Sequence, residues 1–264
     1  MPELAEVAYA CSKWNLGINK KIVGVIIQPD SRVYRKFDSK KFENFLLGKT
    51  LLASECHGKQ MLFTFSEMIF LGIHLGMTGD LELKPKNYQK EKHDAIVIQQ
   101  AKHCLVFRDP RQFGRLRIHS GKTHPNWWTN LSPSVIEKNF TGEILHTATV
   151  KHRKKLLKAL LLDQRYFPGL GNWMVDEILW RAKLKPSRLS GTLTKLEIKK
   201  LFKQIKFVAK GAMNSVGIFG GDPPKNWLFH RRWKDGNLCP KTKTPLLREN
   251  IGGRTTCWAP TLQK

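Results

Sequence analysis

The sequence has few acidic residues and no long hydrophobic run, and both shortages narrow what the protein can be. Its 264 residues contain 21 Asp and Glu against 46 Lys and Arg, which leaves a formal net charge of +25. A charge this large exceeds what solubility requires and indicates a polyanionic partner, with nucleic acid favoured over an anionic membrane surface. No stretch approaches the roughly 18 consecutive apolar residues of a transmembrane helix, so we expect no membrane span.

Cysteines are also scarce, and their arrangement argues against a secreted protein. The five cysteines are Cys11, Cys56, Cys104, Cys239 and Cys257. Their odd number and wide scatter are typical of reduced thiols rather than of a disulfide framework. Acidic residues stand near the start, where a signal peptide would have basic residues and an apolar stretch. We therefore expect an intracellular protein, at the nucleoid in the cytoplasm of a bacterium or in the nucleus of a eukaryote.

The hydrophobic residues, 41% of the chain, are sufficient for a folded core and exclude wholesale disorder. Apolar residues at three- and four-residue steps predict an amphipathic helix over 3–16. From about 22 to 118, short β-rich runs separated by turn residues predict antiparallel strands, and these runs are VGVII, MLFTF, IFLGIHL, AIVIQ, HCLVF and LRI. Turn formers over 120–133 predict a linker. Helical periodicity then predicts helices near 134–139, 151–163, 172–184 and 193–214.

Pro2 and Glu3 form the first candidate catalytic pair. Removal of Met1 would leave Pro2 with a free secondary amine, and because an α-amine has a pKa of about 8, part of it is unprotonated near neutral pH. Such an amine can attack an aldehyde-level carbon and form an iminium, with Glu3 beside it to move protons. The alternative is an ordinary Met-Pro-Glu start, with proline at the N-terminus of a helix.

Two glycine-marked loops, HLGMTG (74–79) and DPRQFGR (109–115), each follow an apolar strand. They present a thioether, a guanidinium and an aromatic ring, on Met77, Arg111 and Phe113. Side chains of this kind can be inserted between base pairs, where apolar wedges unstack a duplex. Each loop taken alone could also be an ordinary hairpin turn. Lys59, in another turn, is either a phosphate contact or a solvated charge.

The helical half of the chain contains a second candidate region. Five Lys and Arg residues stand between 151 and 158, and the segment DQRYFPGLGN then leads into a helix that starts near Asn172. The glycines of this segment allow close backbone approach, and a helix N-terminus with an Asn side chain is a typical phosphate site. Asp176 and Glu177 in the same helix either orient this loop or are surface acids.

In their order and spacing, these motifs resemble the formamidopyrimidine-DNA glycosylase / endonuclease VIII family of base-excision repair enzymes. The resemblance runs from Pro2-Glu3-Leu4 and Glu6-Val7 through HLGMTG, DPRQFGR and LLDQRYFPGLGN to GGRTT, almost the whole chain. It implies an α+β fold with an N-terminal antiparallel β-sandwich flanked by helices and a C-terminal helix–two-turns–helix domain that carries a β-hairpin finger. The expected bounds of the sandwich, the helical domain and the finger are 1–125, 134–216 and 226–264.

The resemblance also implies catalytic roles for four residues. Pro2 would attack the sugar carbon C1′, and Glu3 would act as acid and base while the sugar ring opens. Glu6 would support this site. Lys59 would hold a phosphate at the reacting nucleotide.

Further residues would bind damaged DNA, the partner that the resemblance implies. Those that fill the gap left by an everted nucleotide would be Met77, Arg111 and Phe113. Those that hold phosphates, together with Lys59, would be Asn172 and Arg254. We expect a monomer that needs no small-molecule cofactor.

The C-terminal finger departs from the family pattern in its metal ligands. The family finger holds zinc through two C-x-x-C pairs, but Thr242 stands where the partner of Cys239 is expected. The positions of the second pair are Ala259 and Leu262, and Cys257 is out of register. Because one or two thiolates without a nearby His cannot complete a tetrahedral site, we expect no bound metal.

We therefore expect a zincless β-hairpin that keeps Arg254, with packing of Trp233 and Trp258 in place of the metal. The start of the chain departs as well, since Ala5 and Ala8 occupy positions where the family has Pro and Glu.

These expectations favour a bifunctional DNA glycosylase and abasic-site lyase of base excision repair that removes oxidised bases and cleaves the strand by β- and δ-elimination. The segment between Val216 and Trp227 has only ten residues, which favours oxidised pyrimidines, ring-opened purines or hydantoins over 8-oxoguanine. A catalytically inactive damaged-DNA-binding protein and an RNA- or ribosome-associated basic protein are the alternatives. An intact Pro2-Glu3 pair argues against both.

Overall fold

The computed structural model describes residues 1–35 and 37–264, which divide into two compact units. Unit 1 consists of Met1–Pro2 and Glu6–Leu131, and unit 2 of Glu3–Ala5 and Ser132–Lys264. Throughout the described part of the chain, every helix is too short or too polar to span a membrane.

Eight strands of unit 1 form two antiparallel sheets. The strands are β1 (Ile22–Ile27), β2 (Leu51–His57), β3 (Gln60–Phe65), β4 (Ile69–His74), β5 (Asp80–Pro85), β6 (Asp94–Gln100), β7 (His103–Arg108) and β8 (Arg115–Ser120). One sheet has the order β1-β6-β7-β5 and the other the order β2-β3-β4-β8. The helices of this part of the chain are α1 (Leu4–Ser12), α2 (Lys40–Leu46) and α3 (Asn126–Thr129).

The core of unit 1 lies between the two sheets. The alternating residues Met61, Phe63 and Phe65 of β3 are fully buried in one cluster with Ile96 of β6 and Leu105 of β7. Alternation of this kind is typical of strands with one face on a core. The predicted β-sandwich is confirmed.

The boundary between the two units, after Leu131, falls inside the predicted linker 120–133, but most of this segment is packed into unit 1. Part of this segment forms α3, and Trp127 packs so closely on β4 that a Cβ on Gly72 would lie 2.3 Å from its ring. The guanidinium of Arg117 covers the same ring, 5.0 Å from its centroid. The segment is therefore packed onto the sheet, because its two tryptophans supply apolar surface. The linker prediction rested on the turn-forming residues alone.

Unit 2 contains four helices and a hairpin. The helices are α4 (Gly142–Lys151), α5 (Leu157–Leu161), α6 (Asn172–Ala182) and α7 (Lys195–Ala212), and the hairpin strands are β9 (Leu247–Ile251) and β10 (Arg254–Trp258). A capping box of Thr194 and Glu197 begins α7, and a π-helical turn over Met213–Gly217 follows it. The helices surround one core, which confirms the predicted helical C-terminal half.

Two predicted helices of unit 2 differ from the structure. Residues 134–139 form turns, and the side chain of Glu137 accepts the backbone N–H of Ser134. The predicted helix over 151–163 is helical only at its start and over Leu157–Leu161, because residues 155–158 bond to the backbone of 186–190 instead. This long-range pairing has no signal in local periodicity.

Candidate functional site

The carboxylate of Glu3 is held at the N-terminus of α6. Backbone N–H groups of Trp173 and Met174 donate to its two oxygens at 2.9 and 3.1 Å. The free N–H groups and the dipole of a helix start both favour an anion at this place. Glu3 is 3% exposed, so the protein fixes the position of its carboxylate.

The glycines before α6 make this arrangement possible. The carbonyl oxygen of Gly169, a residue in the left-handed region with φ +96°, accepts the N–H of Leu4 at 2.9 Å. A Cβ on Gly171 would lie 2.2 Å from Cδ of Glu3. The close approach that the sequence predicted at these glycines is therefore an approach to a side chain of the same unit.

Asn172 and Arg254, both predicted phosphate contacts, lie close to the start of α6. The Nδ2 of Asn172 donates to the carbonyl oxygen of Thr255 at 2.9 Å, and Thr255 directly follows Arg254. Gly252 and Gly253, both with positive φ, form the two-residue turn that leaves Arg254 exposed at the start of β10. The structure thus brings Glu3, Asn172 and Arg254 to one region of unit 2.

A buried ionic network that was not predicted from the sequence lies next to this region. Lys158 and Arg232 both donate to the carboxylate of Asp176, which also accepts the N–H of Cys257 at 3.1 Å. Lys158 donates in addition to the carbonyl oxygen of Thr255 at 3.3 Å. The network therefore connects α5 and α6 to β10. The signal in the sequence was a lysine inside the apolar run 156–162, because a charge in such a run is buried and must be paired.

Asp176 and Glu177 are both fully buried, so the interpretation of these residues as surface acids is wrong. Glu177 accepts from Nε of Arg181 at 2.7 Å and from the N–H of Phe229 at 3.3 Å. Both acids hold segments of unit 2 in place around α6.

The two glycine-marked loops of unit 1 are joined to each other. Asp109 accepts the hydroxyl of Thr78 at 2.7 Å and the N–H of Gly114 at 2.6 Å. A Cβ on Gly76 would lie 2.4 Å from the carbonyl carbon of Phe113, so the loop backbones are in contact. Asp109 therefore fixes the two loops relative to each other.

The predicted wedge residues are exposed on these joined loops. Met77 and Phe113 are 36% and 41% exposed, although both are large and apolar. The guanidinium of Arg111 lies over the ring of Phe113, 4.8 Å from its centroid. An apolar and cationic surface of this kind on rigidly joined loops is suited to contact with bases.

The other predicted site residues of unit 1 are Pro2, Glu6 and Lys59. Pro2 and Glu6 are half-buried, and Glu6 lies in the first turn of α1. Lys59 lies in the turn between β2 and β3, where its charge acts on His74 of β4. Burial, together with the charges of Lys59, Arg115 and Arg117, lowers the pKa of His74 to about 4.

The hairpin region has an apolar core where the family pattern places zinc ligands. Cys239 and Cys257 are buried with Trp180, Leu228, Leu246 and Ala259. The indole Nε1 of Trp180 donates to Sγ of Cys239 at 3.3 Å. Two 2.7 Å hydrogen bonds connect the hydroxyls of Thr242, Thr244 and Thr261. Across the described residues, no three His, Cys, Asp or Glu side chains are grouped so that they could hold a metal ion, so the residues present do not fit a zinc site.

The two tryptophans predicted to replace the metal differ in their positions. Trp258 is 6% exposed and its Nε1 donates to Glu249 at 2.6 Å, whereas Trp233 is 53% exposed. The prediction for Trp233 is wrong, since its ring packs edge-on against Phe229 at the surface. The buried indole beside Cys239 is Trp180 of α6.

Comparisons with known proteins agree with this architecture. The model of the formamidopyrimidine-DNA glycosylase N-terminal domain matches residues 1–116, and that of the formamidopyrimidine-DNA glycosylase H2TH domain matches residues 131–219. The formamidopyrimidine-DNA glycosylase of Carboxydothermus hydrogenoformans is 32% identical over 276 residues, covering 100% of both chains. That of Arabidopsis thaliana is 29% identical over 279 residues, covering 100% of this chain and 71% of the relative.

A solved structure is similar over the same length. The complex of wild-type Lactococcus lactis Fpg (MutM) with an oxidized pyrimidine containing DNA has a TM-score of 0.89 and 25% identity, covering 100% of both chains. The domain matches, the full-length relatives and the shared fold show that the chain belongs to the formamidopyrimidine-DNA glycosylase family of DNA repair glycosylases.

Proposed function

We propose that this protein is a bifunctional DNA glycosylase and abasic-site lyase that uses the amine of Pro2 as its nucleophile. The observation that carries the proposal is the fixed position of the Glu3 carboxylate, which two backbone N–H groups hold. Glu3 directly follows Pro2 in the chain. Burying a carboxylate is unfavourable unless it is hydrogen-bonded, and DNA binding alone needs no such group. An acid and base held beside an amine is what iminium chemistry needs.

The reaction would begin with removal of Met1, which frees the amine of Pro2. The nitrogen attacks C1′ of the damaged nucleotide, the bond from C1′ to the base breaks, and the base takes up a proton as it leaves. The amine loses a proton and the bond from C1′ to the ring oxygen breaks, which gives the iminium. Glu3 would carry the proton that the ring oxygen receives.

The iminium then acts as the electron sink for strand cleavage. Loss of a proton from C2′ allows the bond to the 3′ phosphate to break, which is β-elimination. A second elimination releases the 5′ phosphate, and water then hydrolyses the iminium and restores the amine of Pro2. Lys59, Asn172 and Arg254 would hold the phosphates of the reacting nucleotide, and Glu6 would support the amine.

Substrate access favours damaged bases that pair weakly. Extrusion of a base costs a few kcal/mol and is cheapest for a lesion that has lost pairing. Met77, Arg111 and Phe113 would fill the vacated space in the duplex. After the π-helical turn, Ile218 and Phe219 are 60% and 74% exposed on a short segment, which offers little backbone for reading a purine edge.

The test is single-turnover excision from duplexes that contain thymine glycol, spiroiminodihydantoin, formamidopyrimidine or 8-oxoguanine opposite cytosine. We expect excised base and a cleaved strand, with 8-oxoguanine removed more slowly than the hydantoin. The Pro2→Gly variant should bind the same duplexes with little product. A wild-type protein that shifts every duplex and cleaves none would instead be a catalytically inactive damaged-DNA-binding protein.

A further inference from the structure

The exposed side of α7 is densely basic. It carries five exposed lysines, and these form what we call the basic face: Lys195, Lys199, Lys200, Lys203 and Lys210. Glu197, the only acidic residue of the helix, is bound by Arg188 and takes part in the capping box. Over an 18-residue helix, which is about 27 Å long, the basic face therefore has a strong positive potential.

The basic face points away from the core and from α6. Ile198, Leu201 and Ile205, on the opposite side of α7, are buried in the core of unit 2, where α7 packs on α4 and α6. The start of α6 carries Asn172, one of the residues proposed to hold a DNA phosphate. The basic face is thus separate from that group, and the proposed chemistry does not use it.

A pocket of about 260 Å³ lies at the C-terminal end of the basic face, and it is lined by Ile136, Lys206, Lys210 and Met213. Lys206, Lys210 and Met213 are four and three residues apart, so they lie on one side of the helix, in line with Lys203. Ile136 belongs to a turn that precedes α4, and it is exposed although it is large and apolar. The pocket therefore combines two apolar side chains with the end of a row of lysines.

Lys206 fixes the wall of the pocket that Ile136 provides. Its Nζ donates to the carbonyl oxygens of Val135 and Glu137, on either side of Ile136, at 3.2 and 2.6 Å. The carboxylate of Glu137, which also acts on Lys206, accepts the N–H of Ser134 at 3.2 Å. The turn is therefore held against α7, and the pocket exists before any partner binds.

The pocket and the basic face together define the chemistry of a partner. The apolar walls suit an aliphatic or aromatic side chain, which the backbone of a nucleic acid does not offer. The cations of the basic face are all lysines, whereas arginine is the residue whose paired N–H groups match a phosphate. An acidic peptide that carries an apolar side chain fits both surfaces. Peptides of this kind remain disordered until they bind, because they have too little apolar surface to form a core.

We propose that the basic face and this pocket are a docking surface for an acidic, disordered segment of a partner protein. One apolar side chain of the segment enters the pocket between Ile136 and Met213. Its carboxylates lie along Lys199, Lys203 and Lys210. The inference goes beyond the proposed function, because binding here would hold a partner on unit 2 while the start of α6 stays free for DNA.

The first test measures, by fluorescence anisotropy, the binding of a labelled peptide in which a block of Asp and Glu precedes a single Phe. The wild type should bind it in the micromolar range, and more weakly as salt is raised, because exposed charges are screened. The double variant Lys203→Glu/Lys210→Glu should bind about tenfold more weakly, since two attractions become repulsions. Lys102→Glu/Lys122→Glu, at exposed positions of unit 1, has the same net charge and is the matched control. Equal losses in the two double variants overturn the proposal, because net charge alone would then explain the binding.

A second measurement tests the pocket. A peptide with Ser in place of Phe should bind the wild type about tenfold more weakly, because the apolar side chain is no longer buried. Ile136→Ser, at an exposed position, should weaken binding of the Phe peptide but have no further effect on the Ser peptide. Equal binding of the two peptides by the wild type contradicts a role for the pocket and overturns the proposal.

Two further arms distinguish an acidic peptide from other polyanions. The first measures binding to a duplex that contains one tetrahydrofuran residue, and the second measures binding to vesicles of phosphatidylglycerol and phosphatidylcholine. In both arms, Lys203→Glu/Lys210→Glu should behave like the control double variant. A selective loss of duplex binding, with competition between duplex and peptide, would make the basic face a DNA contact. A selective loss of vesicle binding would make it a membrane contact, and either result overturns the assignment to a protein partner.

Discussion

At the residue scale, the position of Glu3 depends on the absence of a side chain at Gly171. A methyl group there would lie 2.2 Å from Cδ of Glu3, so the carboxylate or the α6 start must move. A displacement of about 1 Å in a catalytic group can lower a rate by roughly two orders of magnitude. We expect Gly171→Ala to reduce single-turnover excision and strand cleavage by about 10²-fold.

The matched control is Gly142→Ala in the same unit. Its added Cβ would meet only a ring carbon of Phe202 at 3.9 Å, an ordinary contact. This variant should keep full activity, and both variants should bind abasic duplex. Full activity of Gly171→Ala would mean that the position of Glu3 does not matter for the chemistry.

His74 makes stability depend on pH in a defined window. Its pKa falls from the ordinary value of 6.5 to about 4 on folding, so the unfolded state binds more protons between these values. The free energy of unfolding therefore decreases as pH falls from 6.5 to 4, and the stabilisation is complete above pH 6.5. Between pH 7 and 4.5 this residue should contribute a loss of about 2.5 kcal/mol.

Urea unfolding of the wild type and His74→Gln at the two pH values measures that contribution. Glutamine keeps a donor and an acceptor but does not titrate, so the variant should lose less stability than the wild type at pH 4.5. Equal losses in the two proteins would show that His74 titrates normally in the folded state.

Residue-level predictions from the sequence were most useful where a residue type is unusual in its setting. Asn172 and Arg254 were named from short motifs, and the structure places them both near the start of α6. The partners of Asp176 were not predictable, because Lys158 and Arg232 are far from one another in the chain and meet only after folding. Contacts between residues so far apart in the chain produce no pattern in the local sequence.

At the element scale, the two joined loops of unit 1 should act as one wedge. We expect replacement of Met77, Arg111 and Phe113 by Ala to lower excision from duplex at least tenfold, because extrusion then leaves an unfilled gap that costs a few kcal/mol. Cleavage of a single-stranded abasic oligonucleotide should change little, since it has no gap. Val23→Ala, an exposed apolar position on β1, is the control. Equal losses on both substrates would assign these loops another role.

The hairpin of β9 and β10 should hold its structure without metal. Elemental analysis should find well under one zinc per chain, and a chelator should leave the melting temperature unchanged. Thr244→Val removes the hydroxyl that bonds to both Thr242 and Thr261 and should lower the free energy of unfolding by about 1 kcal/mol. Thr147→Val, at an exposed position of α4, is the control and should leave it unchanged. One zinc per chain would contradict this account of the hairpin.

Elements with strong periodicity were predictable, and elements defined by distant partners were not. The apolar strands β3, β4, β6 and β7 were all predicted, and the helices α6 and α7 lie within predicted ranges. Strands β2 and β5 were missed because their sequences, LLASECH and DLELKP, mix charged and polar residues with apolar ones. The helix proposed at 134–139 rested on a few apolar residues, too short a stretch for helical periodicity to decide.

At the scale of the whole molecule, charge and hydrophobic content pointed to a folded, nucleic-acid-binding protein before any motif was considered. The excess of 25 positive charges supplies long-range attraction to DNA, which is independent of base sequence and weakens with salt. In the proposed function, directional contacts would then select the damaged nucleotide. The change from strand to helix periodicity midway along the chain predicted a β-rich part followed by a helical part, and the family resemblance implied the α+β fold that contains them.

The central claim is that Pro2 is the covalent nucleophile, and borohydride reduction during reaction with an abasic duplex tests it most directly. Reduction converts the iminium into a stable amine, so the protein–DNA adduct can be digested and mapped by mass spectrometry. We expect an adduct on Pro2 in protein that lacks Met1, and a strong decrease in trapping for Pro2→Gly without loss of binding to the tetrahydrofuran duplex. Undiminished trapping of that variant, with the adduct on a lysine, would contradict the account.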